Sequence, residues 1–511
     1  MSRVWSAALH GVDGVPVEVE VRISSQLPRI DIVGLPDPSV RESAARVRAA
    51  IAGVGRSLPN RRITVNLAPA GLRKAGAGLD LPIAVGILAA DGAFEGPTLD
   101  GLALVGELAL DGRLRPVRGA LALALAAREA GCKHLIVPSG NATEAGLCPQ
   151  LDVRSAHDLE GVLEHLLGVE ALPIASTRLP AERSAVGLDL ADVHGQQTGR
   201  RALEVAAAGG HALLLRGAPG SGKSMLARRL PALLPELDFE EALEVTRIHG
   251  AAGRIPAGAS VLMQRPFRAP HHTASTAGLF GGGNPPAPGE VSLAHSGVLF
   301  LDELPEFDRR SLEALRQVLE ERCVIIARAR ASCEFPARFQ LVTAANPCPC
   351  GWHASGTRDC RCDDGALARY TARISGPLLD RIDLHVELRP VAWRDLDSAA
   401  GGESSATVRA RVTTARAIQA RRRASTGCRS NAELPDAVLD DTARATPEAR
   451  QLLGRAVETY GLSARSARRV LKVARTITDL AGEDPTGTAA MAEALTYRST
   501  AYDTSRHSGM K

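Results

Sequence analysis

Apolar positions along the chain fall into short runs, and their spacing changes character twice. Residues 15–23 alternate apolar and polar side chains and predict a strand. Asp37-Pro38 offers an N-cap followed by a proline suited to a first helical turn. The helical run behind it carries Arg41, Arg46 and Arg48 and stops at Gly53. Strands are predicted at 63–67, 102–110 and 134–137, and a helix at 119–130 closed by Gly131. Residues 1–170 therefore read as an α/β domain, and 171–190, without clear period, as a linker. A second α/β segment follows at 191–395. Its short apolar strands at 212–215, 298–301 and 340–344 suit a buried parallel sheet. From 396 to 500 the pattern is helical and rich in arginine, and 501–511 is a polar tail expected to fray.

At 511 residues the chain exceeds one core, and with 45% hydrophobic but 3% aromatic residues its cores must be aliphatic. No stretch approaches roughly eighteen apolar residues, and the first segment has no apolar signal region. A cytoplasmic protein without a membrane span is expected. The net charge is only +4, yet residues 406–475 hold fifteen Arg and Lys against six Asp and Glu, a local net of +9. Lysine is rare (Lys74, Lys133, Lys223, Lys472 and Lys511), so each one invites a chemical reason.

Lys223 has one in its neighbours. Gly217-Ala218-Pro219-Gly220-Ser221-Gly222-Lys223-Ser224 lies between a predicted strand and a predicted helix, the context that a P-loop demands. Its backbone N–H groups and the helix N-terminus would face phosphates. Lys223 is expected to reach the β- and γ-phosphates of ATP, and Ser224 to ligate magnesium. A Gly-rich surface turn is the bland alternative. The run Val298-Leu-Phe-Leu-Asp302-Glu303 ends an apolar strand in two carboxylates. Asp302 is placed to hold magnesium, and Glu303 to orient and deprotonate the attacking water. A third strand ends at Asn346, which either holds that water or the γ-phosphate, or simply starts the turn at Pro347.

Together with Ser375-Gly-Pro-Leu-Leu-Asp-Arg381-Ile-Asp383, these motifs resemble AAA+ ATPases of the helix-2-insert clade, which includes magnesium-chelatase ATPase subunits and MCM helicases. Further segments extend the likeness over nearly the whole chain: Asp31-Ile-Val-Gly-Leu-Pro-Asp37, Arg62-Ile-Thr-Val-Asn-Leu-Ala-Pro69, Arg265-Pro-Phe-Arg-Ala-Pro-His-His-Thr273 and Asn346-Pro-Cys-Pro-Cys-Gly351. They resemble the ComM/YifB family of magnesium chelatase-like proteins, known for a hexameric DNA branch-migration motor of natural transformation. The resemblance implies an ATP hydrolase, a homo-oligomeric and hexameric ring, and helicase or translocase work on branched or single-stranded DNA. By position it implies that Asn346 is sensor 1 and that Arg381 is an arginine finger supplied to the neighbouring subunit. It makes Arg465 sensor 2 in a helical lid, with Arg468 as the fallback. The long gap from Lys223 to Asp302 leaves room for the clade's insert near 250–292. Arg265, Arg268, His271 and His272 there either face a ring's channel or pack on the core.

Residues 70–140 resemble the Lon-protease-like version of the ribosomal S5 fold. In that resemblance Gly78 stands where the protease has its nucleophile, and Leu121 where it has its lysine. Without hydroxyl or amine, a scaffold or DNA-contacting collar is expected rather than a protease. Within the loop 348–362, Cys348, Cys350, Cys360 and Cys362 form a four-thiol set of the kind that binds structural zinc. Free thiols are the alternative, and His353 is a substitute ligand. The rival functions are a chelatase-type motor inserting magnesium into a porphyrin, an ATP-dependent protease, and a non-motor ATP-binding scaffold. The Lon-like domain and four-Cys loop disfavour the first, the missing Ser/Lys pair the second, and Glu303 the third.

Overall fold

The aliphatic runs pair into two large sheets. A computed structural model describes residues 1–74, 76–94, 96–175, 188–255, 261–328, 331–356, 358–391 and 402–498. The order of the first sheet is Arg29–Val33, Arg62–Ala68, Asp13–Ser24, Ser2–His10, Leu102–Leu104, His134–Pro138, Asp152–Ala156. Asp13–Ser24 runs antiparallel to both of its neighbours, and the remaining pairs are parallel. Its alternation buries Val17, Val19 and Val21 on one face. Asp37 caps the helix Pro38–Gly53 by accepting the Val40 N–H at 2.9 Å. The single strand expected at 102–110 is broken, because the backbone at Gly106 leaves the sheet. Its N–H donates to Gly78 O, its carbonyl accepts from Leu81, and Leu108 N–H goes to the buried carboxylate of Asp80.

In the second sheet all five strands are parallel, in the order Phe267–Arg268, Val298–Leu301, Gln340–Ala345, Leu213–Gly217, Leu384–Leu388. The direction of winding reverses at Leu213–Gly217, the first of these strands in the chain. In such sheets the ligand crevice opens at the C-terminal end of the strand where winding reverses. Beyond the sheet, residues 402–498 are mainly helical, with helices at Ser405–Thr426, Asp436–Ala443, Pro447–Tyr460, Ala464–Ala481 and Thr488–Thr496. Their Val408, Val412, Leu439, Val470 and Met491 share one core with Leu213, Leu215 and Val386 of the sheet.

The two halves interlock. Val12, at the turn of the first hairpin, is fully buried in the core that holds Leu214, Ile248 and Phe335. In return, Leu237, Ala242 and Val245 join the core around the helix Ala120–Glu129. The hairpin of Cys323–Arg328 with Ala331–Pro336 was not anticipated from the sequence. Among the described residues no helix is long and apolar enough to cross a membrane. Most of the expected linker (176–187), part of the expected insert (256–260) and the expected tail lie outside the described residues.

Candidate functional site

The strand Leu213–Gly217 is almost wholly buried and delivers the chain to the loop that ends at Lys223. Gly222 turns that loop into the helix Lys223–Ala227 with φ +86, a left-handed conformation that side chains resist. Lys223 Nζ, nearly buried, donates to Gly217 O at 2.7 Å, Ala218 O at 3.0 Å and Asn346 Oδ1 at 3.1 Å. Desolvation lowers its pKa, while Asp302 and Glu303 oppose the shift. The crevice thus keeps a poorly solvated cation whose present partners are mostly neutral carbonyls.

The carboxylates come from the neighbouring strand end. Ser224 Oγ donates to Asp302 Oδ2 at 2.6 Å, and Asp302 Oδ1 accepts the Glu303 N–H at 3.0 Å. Glu303 itself has φ +54, and its side chain is half exposed. Non-glycine residues held in that region are unusual and concentrate at functional sites. His272 Nδ1 lies 3.2 Å from Glu303 Oε2, with the His271 ring tilted against it at 4.2 Å between centroids and Phe307 edge-on to it. One crevice therefore gathers Lys223, Ser224, Asp302, Glu303 and Asn346 from three adjacent strand ends.

Arg381 and Arg465 lie elsewhere. Arg381 is buried, donates to Pro377 O at 2.8 Å and pairs with Glu320, while its Nε has no partner. Arg465 approaches the same Glu320 at 3.9 Å. Arg468 instead pairs with Asp440. Beside Arg381 is a cavity of about 360 Å³ lined by Arg322, Arg338, Arg469, Glu320 and Asp383. Asp383 binds the helix Ala464–Ala481 to the sheet through Arg469 and meets His211 Nδ1 at 3.3 Å. Burial opposes its charge, but Arg469 and His211 hold its carboxyl well below the usual carboxylate range. His211 Nε2 continues to Thr476 Oγ1 at 2.8 Å. Neither the His272–Glu303 contact nor this network was foreseen.

Of the insert residues, Arg265 and Arg268 pack on the core. Arg265 donates to Pro235 O and Ser296 O, and Arg268 grips Glu290 with bonds of 2.6 and 2.8 Å. The basic helix Ser405–Thr426 also commits much of its charge internally. Arg411 pairs with Glu204 and Glu403, Arg416 donates to Ala207 O, and Arg422 pairs with the buried Asp479. Arg421 and Arg423 are exposed. Just beyond Asn346 in the chain, Cys348 and Cys350, with Cys360 and Cys362, bring four sulfur atoms within 4.8 Å of one another. His353 gives the cluster its backbone N–H, which donates to Cys348 Sγ at 3.3 Å.

Residues 189–396 match the family profile of magnesium chelatase subunit ChlI, 19–141 a second ChlI profile, and 402–498 that of the ChlI C-terminal region. Competence protein ComM of Haemophilus influenzae is 44% identical over 502 residues, covering 97% of each chain. The chain belongs to the ComM/YifB family. The YifB protein of Escherichia coli, itself uncharacterized, is 44% identical over 98% of this chain and 97% of its own. An uncharacterized relative from Mycobacterium tuberculosis is 44% identical over 98% of this chain and 99% of its own. The mixed α/β architecture with its parallel sheet fits the AAA+-like core of this magnesium chelatase-like family.

Proposed function

We propose that this ComM/YifB protein is an ATP hydrolase that assembles into a hexameric ring and moves DNA.

 Six copies close the ring, and ATP hydrolysis in it drives movement on branched or single-stranded DNA. The observation that carries the reading is the convergence of Lys223, Ser224, Asp302, Glu303 and Asn346 on one strand-end crevice. ATP is the substrate, and a bound magnesium ion would neutralise part of its phosphate charge. Lys223 leaves its carbonyl partners for the β- and γ-phosphates, with Gly217–Gly222 wrapping the phosphates through backbone N–H groups. Ser224 and Asp302, already in contact, would hold the magnesium ion. Glu303 takes the proton of the attacking water, and Asn346 orients that water or the γ-phosphate.

The arginines fit a division of labour between subunits. Arg381 and Arg465 share Glu320 and turn to a different face from their own phosphate loop, which favours action on a neighbour's nucleotide. Arg465 rather than Arg468 is then sensor 2, and the C-terminal helices are the lid that carries it. We assign residues 1–170 the S5/Lon-like fold without protease chemistry. Gly78 faces Val105 and Val117, and Leu121 is fully buried, where a nucleophile and its base would be needed. The four thiols are assigned to one structural zinc ion.

Full-length likeness to a protein named for competence favours DNA as the substrate over a porphyrin. The family profiles, named for magnesium chelatase, favour the second reading, a metal-insertion motor. ATPase rates with no DNA, single strands, duplex and a four-way junction separate them. Stimulation by DNA, greatest for the junction, is expected. No DNA binding at low salt by an assembled ring would replace the DNA motor with the chelatase-like reading.

A further inference from the structure

The four-cysteine loop sits against the nucleotide crevice on two sides. It begins two residues after Asn346, whose Oδ1 meets Lys223. Cys348 is fully buried there. Between them, Pro347 O accepts a hydrogen bond from Arg216 at 3.2 Å, and Arg216 belongs to the strand that feeds the phosphate loop. On the other side, Gly351 rests on Pro219 inside that loop. A Cβ on Gly351 would come within 2.6 Å of Pro219 Cδ, and its φ of +85 also disfavours a side chain. Gly351 N–H closes a turn on Cys348 O at 3.0 Å. The loop therefore touches both Asn346's strand and the phosphate loop, and the sulfur cluster lies at its base.

The sulfur spacing suits one tetrahedral ion. Cys348 and Cys350 are 3.3 Å apart, Cys348 and Cys360 3.7 Å, and Cys350 and Cys360 3.6 Å. Four thiolates about 2.3 Å from zinc would stand about 3.8 Å apart along the edges of a tetrahedron. Cys362 completes the set. Four soft sulfur donors with no open position describe a structural ion rather than a catalytic one.

We propose that zinc held by Cys348, Cys350, Cys360 and Cys362 is a brace for ATP hydrolysis, fixing Asn346 and the Pro219 side of the phosphate loop at once. The four cysteines and Gly351 are positioning residues, since none reaches the nucleotide crevice itself. The inference rests on the ATPase and zinc readings above, and its test separates the three. Elemental analysis of reduced protein purified without a metal-affinity tag gives about one zinc per chain. Cobalt replacement gives the visible spectrum of a tetrahedral thiolate site. Stripping the metal reversibly lowers kcat by about tenfold or more, the range seen when groups behind a site are lost, with nucleotide affinity changed much less. Added zinc restores the rate. Gly351→Ala, which leaves every thiol in place, keeps its zinc and loses kcat in the same sense. Folded protein without zinc would overturn the metal site. Zinc-loaded protein whose stripped form, or whose Gly351→Ala form, hydrolyses ATP at the full rate would overturn the brace alone. Wild-type protein without ATPase activity would overturn the functional reading on which both stand.

Discussion

The nucleotide crevice and the arginine face differ in what they lack. In the crevice, Lys223, Ser224, Asp302 and Asn346 already contact one another within a single chain. On the arginine face, Arg381 and Arg465 converge on the half-exposed Glu320, and Arg381 keeps a buried Nε without a partner. The first is a set of groups whose contacts with one another are already made. The second is a set of cations held by a carboxylate that a stronger anion can displace. A buried, incompletely satisfied guanidinium beside a polar cavity is the kind of feature that an incoming phosphate relieves.

The largest effects should come from the crevice. Lys223→Ala should abolish ATP binding and hydrolysis together, because the phosphates lose their cation. Glu303→Gln should bind ATP normally and hydrolyse about a thousandfold more slowly, since only proton abstraction is removed. Equilibrium nucleotide binding set beside steady-state ATPase checks both, and wild-type turnover in Glu303→Gln would remove that residue from its role.

Next come the arginines. Arg381→Ala should bind ATP and lose about a thousandfold in kcat, as for other arginine fingers. Mixed with Lys223→Ala it should regain part of the activity at interfaces that pair an intact crevice with an intact arginine. Arg465→Ala should act in the same direction, whereas Arg468→Ala should not, since Arg468 is engaged with Asp440. Failure to complement in verified mixed rings would place the arginines in cis and erase the contrast between the two regions.

A smaller effect is expected on the basic helix. Of the three consecutive arginines, Arg422 is held by Asp479, whereas Arg421 and Arg423 are exposed and open to phosphate contacts. Replacing those two with Ala should flatten the salt dependence of DNA binding by about two units of slope and leave basal ATPase near normal. An unchanged slope would move the DNA path to another surface.

The smallest effect on activity belongs to a residue outside both regions. Glu144 is buried, accepts the Leu121 N–H at 3.2 Å, and has its carboxyl pushed up to about 7 by burial. Between pH 4.5 and that value the folded state holds a proton that the unfolded chain releases. Stability should therefore fall as pH rises across this window, by about 3 kcal/mol in all. Glu144→Gln should remove the slope and leave ATPase within about twofold, because its amide oxygen can still accept the Leu121 N–H. Urea midpoints at pH 5 and pH 8 measure it. Equal slopes in both proteins would mean Glu144 titrates normally.

Local chemistry was legible where one segment carries it. The strand Val298–Leu301, the cap at Asp37 and the eight residues ending at Ser224 depend on neighbours in sequence. The expected 102–110 strand failed because its interruption at Gly106 depends on Gly78 and Asp80, which no local period reports. Asp383 with His211 and Arg469 was invisible for the same reason, since its partners come from distant segments. Charge counting in the basic helix cannot tell an arginine spent on Glu204 or Asp479 from one left in water. The hairpin at 323–336 carries apolar alternation, as in Val324 and Ile326 opposite Cys333 and Phe335, but no Gly or Pro marks its turn.

Val12 has a consequence for anyone dividing the protein. It sits at a hairpin turn of the first sheet, yet it is sealed among Leu214, Ile248 and Phe335 of the other half. Removing residues 1–170 would open a socket in the ATPase core directly under the strand that carries the phosphate loop. It would also strip the cover from Leu237, Ala242 and Val245. A shortened protein would gain a sticky apolar face and a gap beneath its most exacting loop. Its inactivity would say nothing about what the first sheet does, whereas point changes at Val12 would keep both halves whole and ask that question fairly.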